Sequence, residues 1–369
     1  MKRVLIVSNE YPPIVGGAGI YLANLVNNID LTRHKVTLII PEGCCAKVDD
    51  NLEVIEVKEI KGLSLFSYYL KIKELNLELF SKIIVNDPST AFIFTLMLKE
   101  HRAKQVVFLH GLEPEYIFQS PRPLYQLLQF GKKYLNYLNQ VEKVVFVSHD
   151  LENKFNQIVG ISKLSNSLQL SPCVNRDDFL CPELAPTCLS STEISEINNS
   201  EFILSVSRIE KLKGYSKLLK AVTPLLKKDP KLKWVVIGTG AYLPTLKRLV
   251  SEAGVINQVI ILDELPRKNL SYFYSRASVF ILLSEYRESF GLVYLEALSF
   301  GCNTIGNDYG GVSEILIDQG GLVARTSSVN EVMCEVSKHL NGKPVAARDF
   351  HEVQRYSKTQ FSEKVELIL

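Results

Sequence analysis

The sequence predicts an α/β protein of two domains, each built on a parallel sheet with helices on both faces. Short apolar, strand-like runs alternate with longer stretches of helical period, and the alternation persists along the chain. A polar stretch at 181–200, most of it PELAPTCLSSTEISEINNS, lacks apolar periodicity and divides that alternation as a linker would. At 369 residues, each half is long enough to bury a core of its own.

The first domain is read as 1–180. It opens with a strand at 4–7, a loop from Ser8 that ends in Gly16-Gly17-Ala18-Gly19, and a helix at 20–28. Strands follow at 36–40, 54–57, 83–85, 106–109 and 144–147, with apolar-striped helical stretches at 63–80 and 124–138. The second domain, 201–351, repeats the pattern with strands at 202–206, 234–237, 259–262, 279–283, 303–306 and 321–323. A last helical segment spans 352–369.

Composition excludes several classes. Charged residues at 22% and apolar residues at 46% describe an ordinary soluble protein. Residues 1–180 carry 20 Lys+Arg against 19 Asp+Glu, so no basic half or tail points to nucleic acid. The seven cysteines show no C-x-x-C spacing, and no D-x-D occurs anywhere, so no metal site is expected. The start of the chain reads as a first strand rather than a secretory segment, and the cysteines as reduced thiols of a cytoplasmic protein. The apolar runs fall short of the roughly 18 residues needed to span a bilayer.

Three loops carry chemistry, and each follows a strand. Ligands of open α/β sheets settle at that carboxyl end. The first is Glu288-Ser289-Phe290-Gly291-Leu292, with Glu296 eight positions beyond Glu288 on a short helix and Gly301 placed for a left-handed cap. A helix start there suits a phosphate or sugar hydroxyls, and Glu296 suits the vicinal hydroxyls of a ribose. Alone, each acid also reads as a solvated charge. The second loop holds Gly16 and Gly17, whose lack of Cβ lets backbone N–H groups approach an anion. Its glycines come too late, after Pro12-Pro13, for a dinucleotide fingerprint. The third, 205–214, sets Arg208 and Lys213 astride a turn, where two cations can converge on one anion. Smaller signals are the turn Gly238-Thr239-Gly240, the loop containing Leu265, and His110 at the end of strand 106–109.

Glu288-Ser-Phe-Gly-x4-Glu296-Ala, with Gly301 and Gly310-Gly311-Val312-x-Glu314, resembles the E-x7-E signature of retaining glycosyltransferases of the GT-B fold. More narrowly it resembles the GT4 family. The resemblance implies two Rossmann-like domains facing across an interdomain cleft, the first binding acceptor and the second a nucleotide-sugar donor, with the last helix packing back on the first domain. It implies that Gly17 lies against the donor's distal phosphate and that Arg208 and Lys213 hold the diphosphate. His110 would reach the transferred sugar and Glu288 would orient its hydroxyls. Gly16, Gly238, Gly240, Leu265, Ser289, Phe290, Gly291, Leu292 and Glu296 would complete the donor site. No cofactor is implied, and preorganised cations on the leaving diphosphate would take the electrostatic load.

The sequence departs from that family in reading Pro172-Cys173-Val174-Asn175 at the interdomain crossing and Tyr286-Arg287 before the first acid. The acceptor is expected to be a glycan or lipid-linked oligosaccharide of bacterial surface-polysaccharide assembly. Tyr68, Tyr69, Tyr125, Tyr134 and Tyr137, with Lys71, Lys73, Lys132 and Lys133, fit either ordinary core-facing amphipathic helices or peripheral contact with the cytoplasmic membrane face. Two alternatives stay open: a nucleotide-sugar 2-epimerase, which would lack this combination of loops, and a non-catalytic assembly partner, which would not need four intact charged residues.

Overall fold

The computed structural model describes residues 1–13, 16–44, 46, 49–58, 60, 63–119, 123–318, 322–324, 328–340 and 356–369. The chain forms two compact units, one of residues 1–173 with 358–369, the other of 174–357.

In the first unit, seven parallel strands stand in the order β3-β2-β1-β4-β5-β6-β7. They are β1 (Lys2–Val7), β2 (His34–Pro41), β3 (Leu52–Val57), β4 (Lys82–Val85), β5 (Gln105–Leu109), β6 (Lys143–Phe146) and β7 (Ser167–Gln169). Val4, Leu5, Ile6 and Val7 are all fully buried, the unbroken apolar run expected of a strand covered on both faces. The chain moves outward from β1 to β2 and β3, then returns to β4 on its other side. That reversal makes a crevice at the carboxyl ends of β1 and β4. Ser8 and Asn86, the next residues after those strands, meet there: Asn86 Nδ2 donates to Ser8 Oγ at 3.1 Å.

The second unit repeats the plan with six parallel strands in the order β10-β9-β8-β11-β12-β13. They are β8 (Phe202–Val206), β9 (Lys233–Ile237), β10 (Val259–Leu262), β11 (Val279–Ile281), β12 (Asn303–Asn307) and β13 (Leu322–Ala324). Its reversal lies between β8 and β11, which pair through Ile203 with Val279 and Leu204 with Phe280. The loop after β8 carries Arg208 and Lys213, and the loop after β11 carries Glu288.

Several expectations need correction. The stretch 181–200 is part of the second unit and no free linker. Ser190 and Glu193 form a capping box that starts the helix Ser191–Asn198. Arg276 donates to Pro182 O at 2.6 Å, and Tyr272 OH donates to Asn198 at 2.7 Å. The stretch 63–80 is a helix only over Ser64–Lys73; Asn76 then caps a short 3-10 turn, Leu77–Leu79. The stretch 124–138 breaks at Gln129, whose φ of 47° is left-handed, between the helices Pro123–Leu127 and Phe130–Leu138. Strand β7 was not foreseen, because Ser167-Leu168-Gln169 offers one apolar residue to a pattern search. The last helix is Lys358–Ile368 and belongs to the first unit, Arg33 donating to Glu366 at 2.9 Å; 352–355 lie outside the described residues.

Tyr68, Tyr134 and Tyr137 are buried, at 1%, 1% and 0% exposure, and cannot rest on a membrane. The helix Ser64–Lys73 turns a different face outward, along Leu63, Phe66, Leu70 and Lys73. Among the described residues, no helix is long and apolar enough to cross a membrane.

Candidate active site

The second unit's crevice is built around a buried ion pair. Lys213 closes a 3-10 turn after β8 and is followed by Gly214 at φ 76°. A Cβ on Gly214 would sit 1.9 Å from Leu283 O, so only glycine lets this turn lie against the chain leaving β11. That approach brings Lys213 Nζ to Glu288 Oε1 at 2.7 Å, with side chains 10% and 14% exposed. Ser284 Oγ donates to the same oxygen at 2.5 Å. Tyr286 completes the group: its hydroxyl accepts from Lys213 at 2.8 Å and donates to Glu288 Oε2 at 2.9 Å. Burial works against the Lys213 charge, but Glu288 and Tyr286 more than offset it and hold its pKa above the ordinary lysine value. Lys213 is therefore an ammonium at neutral pH.

Arg208 sits five residues earlier on the same loop but is not drawn into this pair. It reaches Glu210 at 2.9 Å and its side chain is 64% exposed. Gly238 and Gly240 pack against that loop from the end of β9, where a Cβ on Gly238 would lie 2.0 Å from Ser207 O. These glycines thus have a packing role, supporting the Arg208 turn. Ser289 and Phe290 follow Glu288, and Gly291, at φ 96°, starts the helix Leu292–Ser299. Gly311 N donates to Glu288 O at 2.8 Å, which ties the Gly310-Gly311 turn to this loop. Leu265 is half-buried in the loop after β10.

Glu296 differs from expectation in its surroundings. It is 3% exposed, and both carboxylate oxygens are already engaged, Oε1 by Arg267 Nε at 2.6 Å and Oε2 by Tyr274 OH at 2.9 Å. Arg267 lies over the Phe179 ring at 4.8 Å and approaches Asp178 at 3.7 Å.

The first unit supplies a neutral cluster. His110 follows β5 and faces Asn86 Oδ1 at 3.0 Å. Asn86 Nδ2 donates to Ser8 Oγ and to Ala18 O, so Asn86 Oδ1 is the acceptor; this puts the imidazole proton on Nε2 and leaves Nδ1 to accept. Burial pulls the His110 pKa down to about 4, keeping the ring neutral at pH 7. The Glu113 carboxylate accepts from the backbone N–H groups of His110 at 2.7 Å and Gly111 at 2.6 Å, fixing the turn that carries the ring. Gly16 precedes the helix Gly17–Asn27 and packs against the Glu10 side chain, whereas a Cβ on Gly17 would meet nothing within 4 Å. The backbone at Gly17 is thus open.

A pH experiment follows from His110. The unfolded imidazole takes a proton below about 6.5, and the folded one resists until about 4. The unfolded chain binds more protons in that window, so the residue's stabilising contribution is full above 6.5 and lost as pH falls. The melting-temperature advantage of the protein over His110→Gln should shrink as pH falls from about 6.5 toward about 4; a constant gap would contradict the burial of the ring.

Of the residues singled out in the sequence, the structure brings Lys213 and Glu288 together. The contacts that Ser284, Asn86, Glu113 and Arg267 make to Glu288, His110 and Glu296 carry no motif, and Tyr286 stood out only as a departure from a family pattern.

The model of "Glycosyl transferases group 1" matches residues 190–355, and that of "Glycosyltransferase Family 4" matches 15–165. The chain belongs to the GT4 family of glycosyltransferases. As a whole, this GT4 chain is 24% identical over 363 residues to a GDP-mannose-dependent alpha-(1-6)-phosphatidylinositol monomannoside mannosyltransferase of Mycolicibacterium smegmatis, covering 91% of this chain and 89% of that one. It is 23% identical over 313 residues to the alpha-monoglucosyldiacylglycerol synthase of Acholeplasma laidlawii, covering 80% and 78%. Among solved structures it is similar to HepE of Anabaena in complex with UDP and glucose, with a TM-score of 0.76 at 17% identity, covering 100% of this chain and 99% of that one. The sucrose-phosphate synthase of Thermosynechococcus elongatus gives 0.77 at 17%, covering 100% and 98%. The fold of this GT4 enzyme is accordingly GT-B, two parallel-sheet α/β units in one chain.

Proposed function

We propose that this glycosyltransferase moves a hexose from a nucleoside-diphosphate sugar to a lipid-linked acceptor, with retention of anomeric configuration. The observation that carries the reading is the Lys213–Glu288 pair at the β8–β11 reversal, with the exposed Arg208 on the same loop. Two cations and a carboxylate at one crevice suit a ligand that presents a diphosphate and sugar hydroxyls together. Cleavage of the sugar–phosphate bond builds negative charge on the leaving diphosphate, and fixed cations favour that charge in the transition state. Glu288 then orients sugar hydroxyls and favours the oxocarbenium-like charge, while the departing phosphate oxygen takes the acceptor proton. In the first unit, the groups we assign to ligand recognition are the backbone at Gly17, where a Cβ would meet nothing within 4 Å, and the Nδ1 of His110.

Two observations support a lipid acceptor. One relative named above is a mannosyltransferase of phosphatidylinositol monomannoside, and the other is a synthase of monoglucosyldiacylglycerol. The exposed stripe Leu63, Phe66 and Leu70, ending in Lys73, has the apolar-plus-basic character of a segment that rests on an anionic bilayer. A surface-polysaccharide intermediate carried on a lipid fits the same surface.

The test is transfer itself. Purified protein would be given UDP-glucose, UDP-N-acetylglucosamine, GDP-mannose or ADP-glucose with vesicles containing phosphatidylinositol or diacylglycerol, and the lipids analysed by mass spectrometry and NMR. One donor series should yield a glycolipid with the donor's own anomeric configuration, and the Leu63/Phe66/Leu70→Ser variant should bind the vesicles less. An inverted product, or transfer indifferent to that triple change, would contradict the corresponding half of the proposal.

A further inference from the structure

Tyr286 stands between the two charged groups of the crevice, and counting hydrogen bonds shows what it does there. Glu288 Oε1 accepts from Lys213 and Ser284, which fills both of its lone pairs. Among the described residues, Oε2 accepts from Tyr286 only and keeps one lone pair. Of the three N–H bonds of Lys213, one goes to Glu288 and one to the Tyr286 oxygen, and the third has no partner among the described residues. The cluster therefore offers a ligand one donor and one acceptor, on the two sides of a phenolic hydroxyl. The ammonium also lies 4.7 Å from the centre of the Tyr286 ring, so the ring shares in holding it.

We propose that Tyr286 is a positioning residue that keeps Lys213 from closing on both oxygens of Glu288, reserving the last Oε2 lone pair for a hydroxyl of the transferred sugar, while the third Lys213 N–H serves the diphosphate with or without the phenol. This deepens the donor-site reading above and rests on it. The physical alternative for the ammonium is plain. A lysinium 2.7 Å from one carboxylate oxygen, with a second donor freed, turns that donor to the other oxygen. Without the phenol oxygen as partner, the sugar's acceptor position is taken by the protein's own cation. Glu288 would remain in place, yet address the wrong group. Because Tyr286 acts through Lys213 and Glu288, its loss falls on recognition of the sugar rather than of the nucleotide.

The experiment is Tyr286→Phe in the full-length protein. It keeps the ring and its contact with the ammonium, and its thermal unfolding serves as the folding control. Calorimetry would measure Kd for UDP and GDP and for UDP-glucose and GDP-mannose, and release of nucleoside diphosphate would give kcat and KM. The free nucleotide should bind within about twofold of the unmodified protein, while the extra affinity of the sugar conjugate over that nucleotide falls about tenfold, as expected for one hydrogen bond to a charged group. The kcat should fall by about tenfold or more, with donor KM rising no further than the lost affinity explains. An unchanged preference for the conjugate with unchanged kcat would overturn the assignment. So would a raised KM at constant kcat, which would make Tyr286 an ordinary binding contact. If the unmodified protein binds no nucleoside-diphosphate sugar, the donor reading falls and this inference with it; if it binds and turns over donor while Tyr286→Phe matches it, only this inference falls.

Discussion

Glu288→Gln is expected to abolish sugar transfer while nucleoside-diphosphate binding survives, and Lys213→Ala is expected to lose both. The two residues form one ion pair, so a purely structural account would make the two changes equivalent. On the proposed account they face different parts of the donor. Neutralising Glu288 frees the Lys213 ammonium for the diphosphate but removes the carboxylate that orients the sugar, so kcat should fall by about 10²–10³, the scale of losing one preorganised electrostatic contact. Removing Lys213 takes away the cation on the leaving group and leaves Glu288 with Ser284 and Tyr286 as its donors. Affinity for UDP or GDP should drop by roughly tenfold or more. Both variants should also unfold at lower temperature, since side chains only 10% and 14% exposed lose a charged partner. Calorimetric titration beside a turnover assay separates the outcomes, and equal loss of nucleotide binding in both variants would contradict the division of roles.

The largest effect on stability is expected at Arg267 and Glu296. Arg267→Ala would leave the Glu296 carboxylate, 3% exposed, with the Tyr274 hydroxyl as its remaining donor. Breaking a buried pair by removing one partner costs about 3–5 kcal/mol. For a unit of this size that corresponds to roughly 10 °C in the unfolding midpoint. Replacing both residues with apolar ones of similar shape should recover much of the loss, because no unpaired charge then remains buried. The same series tests the role given to Glu296. If its carboxylate also receives ribose hydroxyls, Glu296→Ala must weaken nucleotide binding beyond what destabilisation explains; unchanged affinity in the folded variant would make Glu296 an anchor for Arg267 alone.

The strands were legible because parallel strands covered on both faces are continuous apolar runs, as Val4 to Val7 and Phe202 to Leu204 are. Their order is what gives the loops meaning, and a single sequence does not state it. The reversals β1–β4 and β8–β11 place Ser8 beside Asn86 and Lys213 beside Glu288, pairs separated by 78 and 75 positions. Arg208, Lys213 and Glu288 could be read as candidates from glycines and strand ends. That Lys213, rather than Arg208, pairs with the acid depends on Gly214 lying against Leu283, a contact across the sheet. Whether Tyr68, Tyr134 and Tyr137 face a core or a membrane was not legible, because an aromatic stripe on a helix looks alike in both cases; all three are buried. The stretch 181–200 was misread for the opposite reason: its helix buries only Ile197, so apolar periodicity was nearly silent, although the Ser190–Glu193 capping box was there to be seen.

The central claim, that the second unit holds a nucleoside-diphosphate sugar, is tested most directly by thermal unfolding of the protein with UDP, GDP, ADP and their sugar conjugates. A ligand that binds the native state must raise the unfolding temperature. The account predicts a rise with one nucleotide series, larger for the sugar conjugate than for the bare diphosphate, and lost in Arg208→Ala. No rise with any of them, or an equal rise in Arg208→Ala, would contradict it.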